Sequence, residues 1–131
     1  MRQLTREEIF AAEDLQTEEV PVPEWGEGCS VRVRAFSVAV RDAFFAPLQA
    51  AAAGDDQARV EAVRALSHTR LVAFSVVDAD GNNVFTEADL ADLGKKSPVV
   101  ITRIAQVAER LNGIGAVQIE AAAKNSAASP N

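Results

Sequence analysis

The chain has 131 residues, enough for one domain whose core needs neither disulfide nor metal. Its apolar fraction of 48% excludes a disordered chain, and no stretch approaches the ~20 apolar residues of a membrane span. A net charge of −6 disfavours direct contact with nucleic acid or anionic lipid, and a lone cysteine, Cys29, excludes an intrachain disulfide and fits a reducing compartment.

Thr5-Arg6-Glu7-Glu8 is a capping box with Leu4 at the staple position, and it predicts a short helix running to about Leu15. The charges at Arg2, Arg6, Glu7 and Glu8 leave no apolar run for an ordinary signal peptide. Val20 to Glu24 then alternates with Pro21 and Pro23, Gly26-Glu27-Gly28 signals a turn, and Ser30 to Arg34 alternates strictly. Together they predict a β-hairpin at about 19–34, with Val31 and Val33 inward and the proline-bearing strand at the sheet edge. Trp25 is expected to pin that hairpin to the helices.

Ser37 caps a helix that carries Val40, Phe44, Phe45 and Leu48, which Pro47 should kink or break. Gly54-Asp55-Asp56 ends it and caps the next segment. From Gln57 to about Val77, apolar residues recur near the helical period, which predicts the longest helix. A polar turn at Asp78 to Asn83 and a short helix from Thr86 to Gly94 follow. Ser97-Pro98 opens a strongly amphipathic helix with Val100, Ile101, Ile104, Val107, Ala108 and Leu111 on one stripe, stopped by Asn112-Gly113. Val117 to Lys124 forms a last short helix. The expected organisation is a mainly α fold with a minor β-hairpin, a single helical domain over 1–124 and a flexible tail over 125–131.

Only one segment carries a chemical signal. Asp78 to Asp89 has the outline of an EF-hand loop, with Asp78, Asp80, Asn82 and Asp89 as candidate cation ligands. Asn83 stands where the loop needs glycine, Asp89 stands where it needs a bidentate glutamate, and no second loop exists to pair with it. The same residues make a turn followed by a helix cap, and that reading is preferred, with no metal or cofactor expected. His68 has no second histidine, Cys29 has no activating base nearby, and no serine lies in a nucleophile-elbow context. No catalytic residue is assigned, and the chain is expected not to be an enzyme.

The ordered set of Leu4 to Ile9, Ala12 to Leu15, Val20 to Gly26, Val31 to Arg34, Arg41 to Phe44, Val77 to Asn82, Leu93 to Ser97, Arg110 to Gly113 and Ala123 to Ser126 resembles the tail assembly chaperones of long-tailed bacteriophages and prophages. The resemblance covers most of the chain. It implies a non-enzymatic protein of the host cytoplasm that binds the tape measure protein, helps tail-tube protein assemble around it and is absent from the finished virion. It also implies a longer form made by ribosomal frameshifting, and Ala123-Lys124-Asn125 can be encoded by a slippery run. Self-association is expected where many copies coat a long client. The candidate partner-binding residues are Phe44, Phe45 and Leu48, or the stripe on Val100, Ile104, Val107 and Leu111. Two alternatives are a calcium-regulated helical adaptor and a minor tail structural protein.

Overall fold

The computed structural model describes residues 1–125. Helix α1 (Arg6–Ala11) begins at the expected capping box: the Thr5 hydroxyl accepts from the Glu8 amide at 3.1 Å, and the Glu8 carboxylate accepts from the Thr5 amide at 2.9 Å. The helix ends at Ala11 and not at Leu15, and it buries none of its residues. Local capping alone therefore shapes it.

Strands β1 (Thr17–Pro21) and β2 (Ser30–Arg34) form the hairpin, with Glu18 opposite Val33 and Val20 opposite Val31. β1 begins at Thr17 and stops at Pro21, earlier along the chain than expected. Beyond Pro21 the backbone bonds to itself: Trp25 N donates to Val22 O and Val22 N to Cys29 O, each at 2.9 Å. Val20, Val22 and Val33 are buried and Val31 is half-buried. A two-residue strand, β3 (Val76–Val77), pairs with the other side of β2, so β1 is an edge strand as its prolines require.

Helix α2 (Val38–Ala53) is capped by the Ser37 hydroxyl, which accepts from Val40 N at 3.2 Å. It runs through Pro47 without ending, so of the expected kink or break the break does not occur. The carbonyl deprived of a donor by Pro47 belongs to Ala43, an exposed residue, where water can replace the amide. The expected long helix over 57–77 is overturned. It is split into α3 (Gln57–Ala65) and α4 (Ser67–Ser75), and its last two residues are β3. At the break, the Ser67 hydroxyl donates to Arg64 O at 2.7 Å, competing for a carbonyl that a continuous helix would use.

A single 3₁₀ turn (Glu87–Asp89) leads into α5 (Leu90–Leu93). Helix α6 (Pro98–Asn112) has Ser97 as cap and ends at Gly113, whose φ of 62° lies in the left-handed region. Helix α7 (Ala116–Asn125) follows. Residue 125 of the expected tail therefore closes α7, and 126–131 lie outside the described residues.

The core forms where α6 lies against the sheet on one side and α4 on the other, while α2 packs on α3 and α7. Val100, Ile104, Ala105 and Ala108 of α6 are fully enclosed, together with Val33, Leu71 and Val72. Phe36, Phe44 and Phe74 stack beside them, with ring centroids 5.5 to 6.5 Å apart. Asn112 fastens the end of α6 to the start of α2: its side-chain oxygen accepts from Phe36 N at 2.6 Å, and its amide donates to Ala108 O at 2.9 Å. The fold is mainly α with a small antiparallel sheet, as the sequence implies. Ile104→Ala should lower stability by about 2–5 kcal/mol, and Gly113→Ala by about 1 kcal/mol through its backbone conformation. Urea unfolding should show both as shifted midpoints with an unchanged slope.

Candidate functional site

The segment with the chemical signal folds as a turn and a cap. Asp78 accepts at one carboxylate oxygen from the amides of Asp80 at 2.9 Å and Asn82 at 3.0 Å. Gly81, with φ of 86°, takes the left-handed position, and Asn83 instead bridges back to Val77. The Asp89 carboxylate accepts from Thr86 N at 2.8 Å and so completes a helix start. Among the described residues, no group of three or more His, Cys, Asp or Glu side chains stands together in a metal-binding arrangement. His68 faces Glu109 at 3.7 Å, joining α4 to α6, and Cys29 is exposed on the hairpin turn.

The residues proposed from apolar pattern for partner binding lie inside the fold. Phe44, Phe45 and Leu48 are buried on the inner face of α2, and Val100 and Ile104 of α6 are fully enclosed. Val107 and Leu111 are half-buried at the margin of the same core. Periodicity identifies an apolar face but not what covers it, and here α3, α4, α7 and the sheet cover both stripes.

Among the described residues Val38, Val99 and Val117 face outward singly, and outward-facing apolar side chains gather in two other places. One is the N-terminal arm, where Leu4, Ile9 and Phe10 of the α1 region are 57%, 53% and 72% exposed. The other is a groove of about 400 Å³ at the end of the sheet, lined by Trp25, Val31, Val76, Val77, Val84 and Phe85. Its charged rim residues are Glu19, Arg32 and Asp78. Sequence reasoning missed the groove because its walls come from the hairpin and from the segment after β3, which only the β2–β3 pairing brings together. Trp25 was expected as a core anchor. It packs against the core with part of its surface open to the groove.

One buried cation stands out. Arg70 on α4 has a side chain only 5% exposed, and its guanidinium lies 4.9 Å from the Phe44 ring and 5.0 Å from the Phe74 ring. One nitrogen donates to Phe44 O at 2.7 Å, in the turn of α2 that Pro47 loosens. The other lies 3.9 Å from Glu87 without a hydrogen bond. Burial lowers the guanidinium's pKa, and Glu87 acts against that. Arg70 thereby ties α2, α4 and the 3₁₀ turn together.

These features define a class: a small, mainly helical protein with a minor antiparallel sheet and outward-facing apolar side chains, of the kind that mark interaction surfaces. The family model for phage tail assembly chaperones matches residues 5–125, and the chain belongs to that family. No curated protein and no solved structure matches it.

The wall of the groove that carries Trp25 is anchored from the neighbouring residue. Arg103 of α6 grips Glu24 with two hydrogen bonds, 2.8 and 2.6 Å, and also donates to Pro21 O at 3.2 Å. A second pair, Arg110 to Glu18 at 2.6 Å, holds β1 to the same helix. The Arg103 hydrogen bonds bring the Glu24 pKa down from 4.5 to about 2. A carboxyl with a lowered folded pKa contributes stability above its unfolded value and loses it as pH falls toward the folded one. The stability difference between the protein and Glu24→Gln should therefore be constant above pH 4.5 and vanish as the pH approaches 2. Denaturant melts across that range check this, and a difference independent of pH would show that the pair does not act as its geometry implies.

Proposed function

We propose that this protein chaperones the tape measure protein in the host cytoplasm, keeps it soluble while tail-tube protein assembles around it, and is left out of the finished virion. Its work is binding, without catalysis. The observation that carries this reading is the family match over 5–125, which gives the chain a role as a chaperone in tail assembly. The surface is consistent with it. A client rich in exposed apolar helix needs apolar surface to shelter it, and the arm and the groove both offer that. A net charge of −6 keeps many chaperone copies soluble at the concentrations needed to cover a long client.

The test is co-expression with the product of the very long reading frame expected beside this gene. That product should be soluble only when the chaperone is present, and should come down with it on affinity purification. A client equally soluble alone, or a chaperone found in purified phage particles, would overturn the proposal.

A further inference from the structure

We propose that the groove between Trp25, Val31, Val84 and Phe85 receives one face of an amphipathic helix whose flanks carry lysine or arginine. The inference rests on the reading of the protein as a chaperone and names the kind of client segment it takes.

Both walls of the groove are fixed before anything binds. On the hairpin side, Trp25 N donates to Val22 O at 2.9 Å, and the adjacent Glu24 is held by Arg103. On the opposite side, Val84 N donates to Val76 O at 3.2 Å and Asn83 bridges to Val77. Val84 is nonetheless 50% exposed. An aliphatic side chain held in water on a hydrogen-bonded backbone is not a frayed end, and it offers burial to an apolar partner. The groove volume of about 400 Å³ lies within the range of binding clefts and can take the spaced anchors of a helix face.

Charge selects the occupant. The rim carries Glu19, Arg32 and Asp78. Arg32 spends its charge on Glu19 at 2.7 Å, while Asp78 pairs with no basic side chain among the described residues. With Glu19 and Arg32 neutralising each other, Asp78 leaves the rim one net negative charge, on a chain of net charge −6. A second copy brings the same negative charge and is repelled, whereas a basic amphipathic segment is attracted and oriented.

Trp25 is the only tryptophan and the chain has no tyrosine, so its emission reports the groove directly. The full chain is titrated with a synthetic peptide of about four helical turns, bearing a leucine stripe flanked by lysines, and with a twin in which glutamate replaces each lysine. The lysine peptide should shift Trp25 emission to the blue and saturate, and should weaken as salt is raised. Val84→Asp, a surface change that leaves the backbone bonds intact, should weaken binding by about tenfold or more by placing a charge in the apolar contact. Val38→Asp, at an exposed site on α2, should leave binding unchanged. Equal binding of the glutamate peptide, no shift with the lysine peptide, or a shift on concentrating the protein alone would each overturn the proposal, the last by naming a second copy as the occupant. Co-expression separates this failure from failure of the chaperone reading. If Val84→Asp solubilises the client as well as the unaltered protein, the groove is the wrong surface and the chaperone stands. If the unaltered protein does not solubilise it, the chaperone reading itself falls.

Discussion

Helix α6 has to bury a stripe of Val100, Ile101, Ile104, Ala105 and Ala108, and the rest of the molecule is arranged around that requirement. No single layer can cover the stripe. The sheet takes one side and α4 the other, and neither has enough apolar surface to stand alone. Polar contacts then fix how the layers meet. Arg103 and Arg110 on the outer margin of α6 hold β1 in place through Glu24 and Glu18, and Asn112 at its last turn holds the start of α2. Burial supplies the driving force and the ion pairs supply the register, because exposed pairs add little stability of their own.

The same helix indirectly shapes the groove beside Trp25. Glu24 and Trp25 are neighbours, so the grip of Arg103 on one positions the other. Across the groove, Val84 and Phe85 are placed by β3, which pairs with β2 above α6. Arg70 steadies the turn that follows, through Glu87, while filling the space between two phenylalanine rings. A phage tail assembly chaperone built this way presents a rigid cleft rather than a loose apolar surface.

What could be read from the sequence was what local chemistry decides. The capping box at Thr5, the caps at Ser37 and Ser97, the stop at Gly113 and the turn at Asp78 each depend on residues within a few positions of one another. The break at Leu66 was hidden because apolar residues keep helical spacing across it, and the competing bond is one serine hydroxyl to one carbonyl. The third strand was hidden because Val76 and Val77 suit a helix or a strand, and distant β2 decides between them. The groove could not be read at all, since residues 25, 31, 84 and 85 become neighbours only through that pairing. The stripes expected as binding surfaces are real apolar faces, most of whose side chains the tertiary fold buries, with Val107 and Leu111 left half-buried.

The open edge of β1 has a further consequence. An unpaired strand edge is a template on which other extended chains can add, and a protein that assists assembly is exposed to that hazard. Here the edge is short, ends at Pro21 and bears the charges of Glu18 and Glu19. Such an edge discourages main-chain pairing, both with a second copy and with a misfolded client. Contacts with partners are thereby steered toward side chains, and the sheet does not offer its own backbone as a seed for further β-structure.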